Sequence, residues 1–491
     1  MGAAMRPFFS TTVLIFHPYA RAKHGQRNGA IMQRIFGVMA ATMVACMSGA
    51  EANAGTNDAL GASAPAVDIG ALLTAANGAP HVICALAAQS VRNYNWGDRT
   101  DAPYTPLGDA PTLRDRDEDY RGRNNVSFST ADNDRLLAAL ASGDACVREL
   151  SVRLLGTQRS ETVAASLVSR LSSADASMRE VVAFALGLAQ PAAAVDPLIT
   201  ALRDATPNVR ANAAWALGRM DSGRALASLV GLFRDQDAKV REAAVVAAGH
   251  IDSTSAVAAL MRVLQQDESP RVRRVAAWAL GQKETSEAVG VLGAALGKES
   301  DARVREMIVW ALGNSRGRSA SAAIANALRK DDDDAVRETA AWALAELGDR
   351  GSVESLGAAA EGDRSPRVRA TAAWGIGQLR GDGGKAPSGL LKVLRDDSDD
   401  ARLKAAWALG QIGDPAALGA IRDAMKVEKS NEVRRALVRA MIKSGGKSEE
   451  ALTELLNSSD ASVREAAVRG LAGNNSFNPW PWPWPRPRPF P

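Results

Sequence analysis

From about residue 131 to residue 473 one pattern of polar and apolar positions recurs: a short oxygen-bearing side chain, three residues, an arginine, then an alanine-rich apolar run closing near Leu-Gly. The arginines are Arg148, Arg179, Arg210, Arg241, Arg273, Arg305, Arg337, Arg369, Arg402, Arg434 and Arg464, so eleven units follow one another at intervals of 30–33 residues. Four residues before each stands Asp144, Asp175, Thr206, Asp237, Ser269, Asp301, Asp333, Ser365, Ser398, Ser430 or Asp460. Such side chains accept from the exposed amides of a first helical turn, which predicts a helix starting at each one. Pro207, Pro270 and Pro366 follow three of them, at the position where a missing amide hydrogen costs nothing. Apolar residues just before each arginine and seven after it give the helix its core face.

Between one Leu-Gly and the next cap lies a second amphipathic segment, such as 225–233 or 389–394. Each unit is therefore predicted to be two antiparallel helices of about ten residues. A hairpin this short cannot bury its own apolar face, whereas stacking many of them makes one continuous core. The small side chains of the capped helices fit close approach of neighbours.

The text Val-Arg-x-x-Ala-Ala-Trp-Ala-Leu-Gly, as it stands at 209–218 and 272–281, resembles the HEAT-repeat family, in its short bacterial variety named after phycobilisome lyases. The resemblance covers about 340 residues. It implies an all-α protein, a right-handed α-solenoid of about eleven two-helix repeats, with the first helix of each unit on the convex side and the capped helix lining the concave side. The family mixes lyases, hydroxylases and scaffolds, so it speaks for fold more than function.

Upstream, residues 67–93 read as a divergent capping hairpin, 55–66 as a linker and 94–130 as a long Gly- and Pro-rich loop. Residues 32–54 match a secretory signal, with a charged start, the apolar run Ile35 to Met47 and the small-x-small site Ala52-Asn53-Ala54. That predicts a periplasmic or secreted protein with no membrane span after cleavage, because the apolar run is shorter than the ~20 residues a bilayer requires. Lipid attachment at Cys46 is the alternative, and residues 1–31 are an extension or a mis-assigned start. Export leaves Cys84 and Cys146 in an oxidising space, and their apolar helical setting favours two buried free thiols over a bridge.

The formal charge of +4 resides in the first 54 residues, which hold five basic side chains and one acidic; the remainder carries 54 of each. No overall field attracts nucleic acid or anionic lipid.

Five residues after the arginines, Trp215, Trp278, Trp310, Trp342, Trp374 and Trp407 recur. At about 100° per residue from Val209, the core direction of a capped helix lies near 30° and Trp215 near 240°, which turns the indole away from its partner helix and toward the concave side. Nine after the arginines, His250, Gln282, Asn314, Gln378 and Gln411 fall on the same side. Two roles stay open for this stripe: a groove that holds an extended ligand between aromatic faces and amides, or indoles lying over neighbouring Ala and Gly to complete the packing. The arginines, among them Arg210, Arg241, Arg273, Arg305, Arg337, Arg369 and Arg402, are expected to form a structural ladder by reaching a carboxylate or carbonyl near the neighbouring cap. Asp331–Asp334 and Asp396–Asp397 read as solvated turns.

Residues 474–491 form a tail in which Trp480, Trp482 and Trp484, then Arg486 and Arg488, alternate with proline. Alternating proline favours an extended polyproline helix, whose side chains rotate round all faces and leave the indoles in need of a surface, either a partner or the solenoid itself.

Catalytic signals are sparse. Past residue 54 only His81 and His250 remain, and neither precedes Glu, so the His-Glu pairs that would hold iron in repeat-built hydroxylases are missing. No metal spacing, phosphate loop or cofactor signature occurs. The sequence points to an exported, non-catalytic scaffold with a protein partner in the cell envelope; the second reading is a lyase-type enzyme.

Overall fold

The computed structural model describes residues 68–79, 128–158, 160–283, 285–315, 318–380, 384–444 and 449–471. Among these there is no strand, and helices follow one another in pairs from Thr130–Ala139 to Ala461–Leu471. Each pair is one unit: a first helix, such as Ser321–Lys330, and a capped helix, such as Asp334–Glu346. Several first helices open with a 3-10 turn, as at Arg318–Ala320 and Arg350–Ser352. The helix Ile69–Ala76 packs before the first unit, and the amide of Gly78 donates to the cap carboxylate Asp144 at 2.9 Å. The remainder of the expected capping hairpin and most of the 94–130 loop lie outside the described residues, as do the leader and the tail.

At Asp144, Asp175, Asp237, Asp301, Asp333 and Ser398 the expected bond forms: Asp333 Oδ1 accepts from the amides of Ala335 and Val336, and Ser398 Oγ from that of Ala401. Thr206 and Ser269, each followed by proline, make no such bond; there the ring itself sets the first helical dihedral.

The core is continuous from unit to unit, built from the apolar face of each first helix and the alanines of each capped helix. Consecutive capped helices touch along most of their length, whereas consecutive first helices meet far less. Units that are closer on one side than the other make a stack that bends toward the closer side, so the capped helices line its inner face. The closeness comes from glycine. A Cβ added at Gly281 would stand 2.7 Å from the Cβ of Ala311, and one at Gly313 would stand 2.6 Å from that of Ala343, distances no real pair of carbons tolerates. At the joint where alanine replaces this glycine, Ala345 faces Gly375 instead, so the pair stays one glycine and one alanine.

One expectation fails. Cys146 is disulfide-bonded, not a free thiol. The helical pattern that argued for a packed thiol described Cys146 correctly as buried, but periodicity carries no information about which distant segment lies beside it.

Candidate functional site on the capped helices

From Arg179 to Arg402 the arginine four residues past each cap forms a fork with an acid of the next unit. Arg305 Nε and Nη2 donate to Asp331 at 2.8 and 2.9 Å, while Nη1 donates to the carbonyls of Ser300 and Glu299 in its own turn. The same geometry joins Arg210 to Asp235, Arg241 to Asp267, Arg273 to Glu299, Arg337 to Asp363, Arg369 to Asp396 and Arg402 to Glu428. Each acid also accepts the amide of the cap two residues on, as Asp331 does from Asp333 at 3.0 Å. One carboxylate thus fixes both the joint between units and the start of the next helix. Asp331 and Asp396 are therefore not solvated; their side chains keep only 8% and 7% of their exposure. These acids were legible as an Asp or Glu two residues before the cap, a signal the run of neighbouring aspartates obscured.

The fork holds Asp204 below the usual carboxylate range, chiefly through its bonds from Arg179. For Asp235, Glu299, Asp396 and Glu428 burial pulls upward, yet the arginine and the cap amide outweigh it and the carboxyls are lowered.

A second polar row runs along the inner face, one residue past Arg179, Arg241, Arg305 and Arg337. Glu242 pairs with Arg271 of the next unit at 2.7 Å, Glu338 with Arg367, and Glu180 accepts from Asn208. Burial pushes the Glu180 carboxyl up, and Glu306 is raised by burial and by the charges of Asp333 and Glu338.

The indoles occupy the seams between consecutive capped helices. A Cβ at Gly187 would meet the Trp215 ring at 2.4 Å, one at Gly249 the Trp278 ring at 2.4 Å, and one at Gly377 the Trp407 ring at 2.6 Å. Phe184 stacks on Trp215 at 4.7 Å between ring centres. Trp215, Trp278, Trp342 and Trp374 are buried, so most of the expected aromatic groove is closed by the stack itself; Trp310 and Trp407 keep an open edge. A face turned away from the partner helix is not thereby open, because each capped helix has a further capped helix on either side.

The row nine residues past the arginines divides in two. On the N-terminal side its members serve the stack: Arg219 donates to the carbonyl of Gly187 and lies 5.2 Å over the Trp215 ring, His250 meets Trp278 edge-on at 5.0 Å, and Gln282 is half-buried. From the sixth unit onward Asn314, Glu346, Gln378 and Gln411 are exposed. The Asn314 amide donates to the carbonyl of Trp310 at 3.0 Å, which holds it beside that open indole. Trp480, Trp482, Trp484, Arg486 and Arg488 lie outside the described residues. Among the described residues no cluster of His, Cys, Asp or Glu could hold a metal ion, and no helix is long and apolar enough to cross a membrane.

HEAT repeats match residues 164–249, 231–313, 257–334, 321–388 and 386–472, well over half of the chain. The chain belongs to the HEAT-repeat family. A solved importin beta is similar with a TM-score of 0.54 at 14% identity, covering 82% of this chain and 64% of that one. Kap95p, solved in a study of its binding to RanGDP, aligns with a TM-score of 0.50 at 16% identity over 70% of this chain and 57% of that one. HEAT-repeat neighbours also include the CpcE and CpcF phycocyanin lyase of Nostoc sp. PCC7120, at 23% identity over 49% of this chain and 91% of that one, with a TM-score of 0.31. At such identities the likeness to the two importins establishes the α-solenoid fold alone, and this chain spans less than two thirds of their length. A search of curated proteins returned no match.

Proposed function

We propose that the chain is an exported, non-catalytic scaffold that holds a protein partner along the inner face of units six to nine. The observation that carries this reading is the exposed row Asn314, Glu346, Gln378 and Gln411 beside the open edges of Trp310 and Trp407. On the N-terminal side of that row Arg219 and His250 are engaged with neighbouring helices. Carboxamides present both donors and acceptors, and indole edges add apolar contact, the combination that suits an extended backbone. Kap95p, which shares the fold, binds a protein, RanGDP.

Export is supported by the leader pattern at 32–54 and by the bridge at Cys146, since structural disulfides persist in oxidising compartments. With cleavage after Ala54, Cys84 is the cysteine left to pair with it, and the mature chain should show no thiol to a labelling reagent until reduced. Replacing Gln378 and Gln411 with arginine tests the docking face. The expected result is at least a tenfold loss of the proteins that co-purify with the chain from its native envelope, at an unchanged unfolding midpoint. Undiminished co-purification would overturn the assignment.

A further inference from the structure

The last described helix, Ala461–Leu471, is a capped helix, so the chain leaves it at the same end of the stack where the exposed carboxamides lie. Trp480 stands nine positions past Leu471, Trp484 thirteen and Arg486 fifteen. At roughly 3.1 Å per residue of polyproline helix, Trp480 can lie about 28 Å, Trp484 about 40 Å and Arg486 about 46 Å from that end. Helices joined by glycine-alanine contacts sit about 8–10 Å apart, which places Gln411, Gln378 and Glu346 about 16–20, 24–30 and 32–40 Å back along the stack.

The chemistry falls into the same register. Residues 472–484 carry no charge and would pass the exposed Lys443 without repulsion or attraction. The tryptophans begin where Gln378 is exposed, and Arg486 arrives within a side chain's reach of the exposed Glu346. Proline has no amide hydrogen, so the alternating tail offers carbonyls at every residue and donors at half of them. That excess of acceptors matches the amide donors of Gln378 and Gln411.

We infer that the Trp-Pro segment folds back onto this row and occupies it in the free protein, so that a partner must displace it. This rests on the reading of the row as a docking face. The test uses a fluorescent peptide of residues 476–491 and two full-length chains, the natural one and one carrying Trp480→Ala, Trp482→Ala and Trp484→Ala. The peptide should bind the triple variant at least tenfold more tightly than the natural chain, and adding Gln378→Ala and Gln411→Ala to the triple variant should reduce that binding at least tenfold. Equal binding to both chains, no binding to either, or binding indifferent to the glutamines would overturn the inference. Co-purification by the triple variant separates the two readings: partner capture without peptide binding removes only the tail, whereas peptide binding without partner capture removes only the partner.

Discussion

Arg305 shows what a single residue does in this stack. Its guanidinium closes a joint by gripping Asp331 and holds its own turn by two carbonyls. Removing it strands a carboxylate that is almost buried, so Arg305→Ala should cost about 2–3 kcal/mol in denaturant unfolding. Arg305→Lys should recover only part of this, because an ammonium cannot make the planar two-pronged contact. The pH dependence has two signs. Asp204, Asp235, Glu299, Asp396 and Glu428 are lowered in the folded chain, so their contribution is present above the ordinary carboxylate range and is lost as pH falls through the folded values. Glu180 and Glu306 are raised, so their contribution is full below the ordinary range and is lost as pH rises through the folded values. The melting temperature should therefore rise slightly on acidification from neutral and fall once the ordinary carboxylate range is passed. Glu306→Gln should raise the neutral-pH midpoint and remove part of the first rise.

At the level of the helix, the arginine spacing, the caps and the Leu-Gly endings announced both helices of every unit, because each rests on local chemistry. For the tryptophans the sequence left two roles open, and their contacts with glycines of the preceding unit are those of the packing role. The depth of the indoles is set by Gly187, Gly249 and Gly377 of the preceding unit, some 30 residues away, and no single-helix projection contains that neighbour. The forks were half legible for the same reason: the arginine declared itself by regularity, while its acid changes between Asp and Glu and sits among other acids. The glycine-alanine joint permits a sharp test. Gly281→Ala should destabilise by about 1–3 kcal/mol through overpacking against Ala311. Adding Ala311→Gly should restore most of the loss, as the natural exchange of Ala345 and Gly375 implies, and a double-mutant cycle reads the coupling directly. Trp374→Ala, by emptying a closed seam, should cost about 3 kcal/mol or more. Trp310→Ala, at an open edge, should cost less stability and more partner binding.

Across the whole stack, each unit touches only its neighbours, so the inner face is a row of repeated positions whose individual residues are free to differ. That freedom separates a structural half, where Arg219 and His250 are engaged with the stack, from units six to nine, where carboxamides and two indole edges are left open. The bridge at Cys146 was beyond reach of the sequence pattern, since it depends on which segment the fold lays beside the first unit. The division of the inner face is the claim on which the proposed function stands, and site-specific photo-crosslinking tests it most directly. A photoreactive side chain at Gln378 or Gln411 in the native envelope should give discrete protein adducts, and one at Asn326, exposed on a first helix, should give none. Adducts at Asn326 with none at the two glutamines would contradict it.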